Sequence, residues 1–290
     1  MRALGLDIGG TSVKAALLVD GSPVATARSG TYARPDRRTL LESARQAAGE
    51  VTGTRGVDAV GLCVPGLLDE QTQRTTYSAN VPGMVGLSLT ELVAGAVGPA
   101  KSAPPTVWTD AHAAAYDLWV TESPRLAGRL LALSLGTGVG ACVLDEGVPL
   151  LVSGRSPGHL GQLDVTIHEP GREVPVGPDG SRGGLEAYVG LPAMMERYGC
   201  DVEHIPNHLA RDPVPMLALA RAIRIGHAIY RPRHVRLLGG LGLVMQPYRD
   251  AIKSMVDKDL TGVARADWTL GFGRTAFHAA CGAARLALGQ

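Results

Sequence analysis

Apolar positions fall in two periods along this chain. Runs of strand length alternate with stretches in which apolar residues recur every three to four positions. The first run, Leu4-Gly5-Leu6-Asp7-Ile8, leads into Gly9-Gly10-Thr11 and out through Val13-Lys14-Ala15-Ala16-Leu17. That pattern predicts a buried strand, a tight glycine turn and a second strand. Asp20-Gly21 supplies the next turn, and 23–27 reads as an edge strand. Residues 39–51 carry Leu40, Leu41, Ala44, Ala47 and Ala48 at helical spacing and stop at Gly53 and Gly56. A strand over 57–64 follows, and 75–85 is polar and turn-rich and reads as a loop. Short helices over 87–97 and 111–120 flank a strand over 106–108, which places Asp110 at the strand-to-helix passage as the expected N-cap. Strand, helix, strand in this order predicts an α/β fold.

The later half repeats the opening. In 129–145 an apolar strand again meets a Gly/Thr turn and a second apolar strand, so that Gly9-Gly10-Thr11 falls on Gly136-Thr137-Gly138. Such a repeat predicts two similar halves. Residues 154–184 form a long Gly- and Pro-rich loop region, and loops of that length are uncommon unless functional. Helical patterns cover 185–198, interrupted at Pro192, and 214–230. A strand over 234–238 runs into Gly239-Gly240, a natural nucleotide-binding turn. Helices over 244–256 and 277–288 close the chain.

Composition narrows the classes. The 290 residues are 45% apolar, 19% charged and only 4% aromatic, with a formal net charge of +1. The charge balance argues against a nucleic-acid surface, and no apolar run reaches the roughly 20 residues of a membrane span. The first strand starts almost at the N-terminus, so no signal peptide is expected and a cytoplasmic location is. Cys63, Cys142, Cys200 and Cys281 lie far apart without a C-x-x-C pair, which predicts free thiols rather than a zinc site.

The candidate chemistry starts at the glycine turns. Backbone N–H groups there approach a ligand closely, and Thr11 and Lys14 suit a phosphate. Asp7 at the strand end suits Mg²⁺ held through water. Read alone, this stretch is equally an ordinary glycine hairpin.

Taken together, the motifs resemble the ROK family of sugar kinases and related repressors, within the actin/hexokinase-like superfamily of ATP-binding proteins. Asp7 to Thr11 looks like the family's first phosphate motif, Leu135 to Gly140 like its second, and Gly239-Gly240 like its adenosine motif. Cys63-Val64-Pro65-Gly66 and Ser78-Ala79-Asn80-Val81-Pro82-Gly83 match its sugar-side loops, and Thr109-Asp110-Ala111-His112-Ala113-Ala114 its Asn-Asp-Ala-Asn-Ala-Ala segment. The resemblance implies a two-lobed actin/hexokinase-like (ribonuclease H-like) fold with the active site in a cleft between lobes. The expected lobes are 1–109, with 277–290 packing back on it, and 110–276.

The implied activity is ATP-dependent phosphorylation of a hydroxyl on a hexose or hexose derivative, with Asp110 as base. ATP and Mg²⁺ would be held by Asp7, Gly9, Gly10, Thr11, Lys14, Gly136, Thr137, Gly138, Gly239 and Gly240. The sugar would meet Asn80, Thr109, His159, Gln162 and Glu186. A small-molecule partner and a possible homodimer are implied, with no nucleic acid or membrane.

The chain departs from the family at the sugar end. Gly158-His159-Leu160-Gly161-Gln162 stands where the family carries Gly-Glu-Ile-Gly-His. The three zinc cysteines correspond to Gly177, Asp179 and Gly184, so no structural zinc is expected. The alternative reading is a non-catalytic sensor of sugar or nucleotide within the same family.

Overall fold

The opening hairpin forms as its pattern predicts. Strands β1 (Arg2–Ile8) and β2 (Val13–Val19) pair antiparallel, with Asp7 opposite Lys14. Strand β3 (Ser22–Arg28) follows through Asp20 (φ 48°) and Gly21 (φ 79°), a left-handed pair whose twist suits a two-residue hairpin. Helix α1 (Arg37–Thr52) starts where the Asp36 side chain accepts from the Thr39 N–H, and it ends at Gly53. Next come β4 (Ala59–Cys63), β5 (Leu67–Asp69), β6 (Arg74–Tyr77), a 3-10 turn at Pro82–Met84, α2 (Leu89–Val97), β7 (Thr106–Trp108) and α3 (Asp110–Glu122). Ser88 and Glu91 form a reciprocal capping box at the start of α2.

The second half holds β8 (Arg129–Leu135), β9 (Val139–Asp145), β10 (Val148–Pro149), α4 (Glu186–Val189), α5 (Leu191–Tyr198), α6 (Ile205–Leu209) and α7 (Val214–Tyr230). It continues with β11 (His234–Leu238), α8 (Gly239–Val244), α9 (Arg249–Asp257) and β12 (Thr269–Phe272), and the chain ends in α10 (His278–Ala287). This computed structural model describes residues 1–69, 71–98, 104–152, 157–264 and 266–289. Residues 154–156 of the long loop and Gln290 of the terminal segment lie outside the described residues.

The topology is used twice. One sheet runs β3-β2-β1-β4-β7 and the other β10-β9-β8-β11-β12. In each, a three-stranded antiparallel meander joins two parallel strands through the strand that comes first in sequence. The sequence repeat is therefore a repeat of architecture.

The chain divides into two compact units, Met1–Leu118 with Phe277–Gln290, and Trp119–Ala276. In the first, Leu4, Leu6, Leu40, Leu62 and Leu92 build the core on one sheet face. On the opposite face α10 lies directly on the strands, with Ala280 and Ala284 against Ala3 and Ala16. A Cβ on Gly5 would stand 1.8 Å from the Ala280 carbonyl oxygen, and one on Gly61 1.9 Å from that of Ala283. The alanine-rich composition of α10 answers this close approach, because larger side chains would hold helix and sheet apart.

The division falls inside α3 rather than at Thr109, and the packing of α3 on α10 explains why. A Cβ on Gly282 would meet the Ala113 carbonyl oxygen at 1.8 Å. Buried Asp117 pairs with His278 Nδ1 at 2.6 Å and accepts from Arg285 Nε at 2.7 Å. Arg285 also donates to the Gly21 carbonyl at 2.7 Å. In the second unit, α7 and α9 cover the sheet through Leu219, Ile223 and Ile252, packed with Leu131, Leu133, Val235 and Leu237.

α6 and β10 fall where no element was expected, and three further segments differ more sharply. Residues 75–85 are not all loop: β6 pairs antiparallel with β5 in a two-stranded sheet, and a 3-10 turn follows. The helix expected over 244–256 starts late, as α9 at Arg249, and a separate short helix precedes it. α8 begins at Gly239 itself, and a 3-10 turn at Gln246–Tyr248 containing Pro247 separates it from α9. Strand β12 falls where no strand was expected.

Candidate functional site

In the first unit the candidate residues gather at the carboxyl ends of the parallel strands. Asp7 of β1 is in register with Cys63 of β4, and Cys63 with Trp108 of β7. Thr109 and Asp110 follow at once. Asp110 is not the cap of α3 but its first residue: the Thr109 hydroxyl accepts from the His112 N–H at 3.2 Å and does the capping. Asp110 in the first turn is also favoured by the helix dipole.

Asp7 is buried, and its carboxylate meets Lys14 Nζ at 2.8 Å. That carboxylate, with help from Asp110, holds the Lys14 ammonium's pKa above its ordinary value against the cost of burial. Lys14 is therefore no solvated surface lysine. Burial pushes the Cys63 thiol well up, and the Asp7 and Asp110 carboxylates add to the effect. Cys63 is a packed thiol between two acids, without nucleophile character.

The turn of residues 9–12 is braced on both sides. The Gly9 N–H donates to the Ser12 carbonyl at 3.1 Å, and the Tyr32 N–H to the Thr11 carbonyl at 2.9 Å. The Tyr32 hydroxyl donates to the Gly9 carbonyl at 2.7 Å, and the Ser29 hydroxyl accepts from the Val13 N–H at 3.0 Å. Burial, then the Asp7 charge, keeps the Tyr32 phenol protonated. Among the described residues the N–H groups of Gly10, Thr11 and Ser12 have no backbone acceptor, which leaves donors for an anion. Tyr32 and Ser29 were not singled out in the sequence, since both lie in the link to α1 without a local motif.

In the second unit five segments converge. The turn 136–138 closes by a Gly136 N–H bond to the Gly138 carbonyl at 3.0 Å, and the Leu191 N–H at the start of α5 donates to the Gly136 carbonyl at 2.9 Å. The Glu186 carboxylate accepts from the Val139 N–H at 2.9 Å. A Cβ on Gly138 would lie 2.8 Å from that carboxylate, and one on Gly161 3.4 Å from it. Gly161 lies in the 3-10 turn Leu160–Gln162, for which His159 is the N-cap residue. Gly239 (φ +78°) completes the group: its Cβ would stand 2.3 Å from the Leu135 carbonyl oxygen, so only glycine fits. Gly240 is exposed beside it.

Asn80 lies in the partly buried link after β6, where Gly66 approaches the Tyr77 carbonyl so closely that a Cβ would sit 1.9 Å away. His159 and Gln162 are exposed. Gln162 hydrogen-bonds Asp179, which also accepts from the Ser181 N–H at 3.0 Å and the Ser181 hydroxyl at 2.6 Å. Burial acts to raise the Asp179 carboxyl, but these bonds outweigh it and hold it low.

The donors available to metals differ between the two places. Among the described residues no group of three or more His, Cys, Asp or Glu is arranged to hold an ion. At Gly177, Asp179 and Gly184 one carboxylate stands beside an amide, a donor set that does not suit tetrahedral zinc. Mg²⁺ asks less of a protein, since it keeps several waters and takes one or two carboxylates plus phosphate oxygens. Asp7, with one oxygen on Lys14, fits that demand. No helix among the described residues is long and apolar enough to cross a membrane.

Residues 3–290 match the ROK family. No curated protein matches the chain by sequence. Among solved structures, a ROK family glucokinase from Streptomyces griseus in complex with glucose and AMPPNP superposes with TM-score 0.80 at 20% identity, over 100% of both chains. A ROK hexokinase from Thermus thermophilus gives 0.72 at 25% identity, over 99% of this chain and 98% of that one. A ROK family transcriptional regulator, a homolog of the E. coli MLC protein, gives 0.71 at 17% identity, over 99% of this chain and 78% of that one. The two-sheet architecture is thus the actin/hexokinase-like fold.

Proposed function

Because the chain belongs to the ROK family, we propose that it is an ATP-dependent sugar kinase acting on a hydroxyl of a hexose or hexose derivative, with Asp110 as the base. The observation that supports this most is the setting of Asp110. It opens a helix at the carboxyl end of β7, and its charge reaches Lys14, the partner of Asp7. The carboxyl ends of β1 and β7 thus offer a carboxylate for a hydroxyl proton, a carboxylate for a metal's water shell and open backbone donors for phosphate.

In this reading the attacking hydroxyl donates to Asp110, which orients it towards the γ-phosphorus and accepts its proton as the O–P bond forms. The phosphoryl leaves ADP in the same displacement. Gly10 and Thr11 of the first unit, and Thr137 and Gly138 of the second, supply N–H and hydroxyl donors to phosphate oxygens, while Gly9 and Gly136 close the two turns through their own N–H groups. Mg²⁺ neutralises charge on those oxygens when bound. Lys14 fixes the Asp7 carboxylate by charge. Gly240, with open space around it, leaves room for the nucleoside at the start of α8, and Gly239 sets the backbone there against Leu135.

On the sugar side, the Thr109 hydroxyl accepts from a backbone N–H and keeps its own proton to donate. Asn80, His159, Gln162 and Glu186 would pair further hydroxyls, and a site of that kind rejects sugars lacking them. His159 and Gln162 replace the family's usual acid and imidazole, which argues for a sugar other than glucose.

The test is a phosphorylation screen over hexoses and amino sugars with ATP and Mg²⁺, wild type against Asp110→Asn. Loss of a general base lowers turnover by about 10²–10⁴-fold. An Asp110→Asn protein as active as wild type sinks the mechanism. If no sugar is phosphorylated while calorimetry shows sugar binding, the chain is a sensor.

A further inference from the structure

A cavity of about 490 Å³ opens at the edge of the second sheet, built from residues that the proposed kinase site does not use. Arg236 of β11, Arg249 at the start of α9, Gln246, Gly271 of β12, Arg274 and Glu122 line it. Three guanidinium groups therefore face one carboxylate. That carboxylate is engaged: Arg274 Nε donates to Glu122 Oε1 at 3.0 Å.

Arg236 and Arg249 are not neutralised in the same way. Arg236 donates to the Val235 carbonyl at 3.0 Å and the Thr269 hydroxyl at 3.2 Å. Arg249 Nε donates to the Leu270 carbonyl at 3.1 Å. Neither has a carboxylate within ion-pair distance among the described residues. These bonds hold the side chains in place without cancelling their charge. Gly271 makes room for the arrangement, since a Cβ there would stand 2.8 Å from Arg236 Nε. Burial lowers the Arg236 pKa, and Arg249 adds to the effect while Glu122 opposes it. A half-buried guanidinium held near a second one carries a desolvation and repulsion cost that a bound anion would remove.

We propose that this cavity binds a phosphate-bearing small molecule, with its dianionic group between Arg236 and Arg249 and Gln246 donating to a neighbouring oxygen. Two guanidinium forks match phosphate oxygens in geometry and charge. The volume exceeds what a bare phosphate ion fills and lies within the range of small-molecule sites. The site stands independently of the kinase reading, because none of its residues takes part in that chemistry.

The test is calorimetric titration of the intact protein at fixed ionic strength with inorganic phosphate and, separately, with glucose 6-phosphate. Arg249 is exposed, so Arg249→Gln keeps the fold, and its melting curve verifies this. Arg236→Lys keeps the charge but loses the fork. Exposed Arg38→Gln, on the other unit, is the control. The expected result is binding that weakens about tenfold or more in Arg249→Gln, weakens in Arg236→Lys and is unchanged in Arg38→Gln. Affinity for glucose 6-phosphate above that for phosphate supports an organic ligand, and equal affinity overturns that part. No binding to wild type, or binding indifferent to both cavity variants, overturns the site.

Discussion

Replacing Lys14 by Met tests the heart of the first hairpin. The ammonium lies 2.8 Å from the Asp7 carboxylate, and the two side chains are 20% and 8% exposed. Removing one member of a fully buried pair costs about 3–5 kcal/mol, because the other charge is left desolvated and alone. Lys14 keeps a fifth of its surface in water, so solvent screening lowers the figure to about 2–3 kcal/mol. The origin of the loss is specific. It is not the methylene packing, which Met preserves, but the stranded Asp7 charge. Lys14→Met/Asp7→Asn should therefore recover much of the loss, with a coupling energy of about 2 kcal/mol between the positions. Urea denaturation of wild type, both single variants and the double variant measures it. If the single losses simply add in the double variant, the pair is a surface contact and the argument fails.

Two further predictions concern packing and protons. Gly282→Val drives a side chain into the Ala113 carbonyl, 1.8 Å from the Cβ position, and should cost about 3 kcal/mol or more by overpacking. Gly49→Ala in α1, where nothing lies within 4 Å, should instead stabilise by about 0.5–1 kcal/mol; thermal melts that rank the two the other way contradict the packing described. His227 is buried edge-on to Trp268, and burial pushes its pKa down to about 4 from 6.5. The unfolded chain then holds the extra proton between those values, so stability falls as pH drops from 6.5 to 4, by at most about 3 kcal/mol. Urea midpoints over that range should show the acid limb in wild type and lose it in His227→Phe, and an unchanged limb assigns it to other groups.

Much of the fold was legible because its elements carry strong periodicity. β7, α7 and β11 fall where the apolar spacing puts them, and the glycine repeat announces the duplicated sheets. The failures have physical causes. β12 is four residues long and Gly271 breaks its pattern, so only pairing with β11 makes it a strand. The β5–β6 hairpin leaves Leu67 and Tyr77 about half exposed and carries no clean alternation. Pro247 lies in the 3-10 turn between α8 and α9, inside a stretch whose spacing reads as one helix. At Thr109-Asp110 both residue types cap helices well, and only the hydroxyl's bond to the His112 N–H decides between them.

The candidate site was legible in its motifs and not in its bracing. Both turns could be read as phosphate cradles, and their shared topology bears on why they differ. In the first hairpin Asp7 faces Lys14 across the ladder; at the corresponding place in the second, Ser134 faces Gly140. The duplicated architecture thus keeps a charge pair beside the turn in the first copy, whereas the cross-strand pair of the second copy, Arg129 with Asp145, stands at the far end of its hairpin. The first turn is braced by the neutral Tyr32 phenol, which adds no negative charge near Asp7. The second is braced by Glu186, a carboxylate whose bond to Val139 ties the turn to a candidate sugar-side residue. In the proposed reading the acid for a metal's water shell is Asp7 of the first unit, and the Glu186 carboxylate of the second braces its own turn through Val139. Tyr32 lies 23 residues from Gly9 and Glu186 lies 47 from Val139. No local pattern announces partners that far apart, so the difference in bracing between the two turns emerges only once the chain is folded.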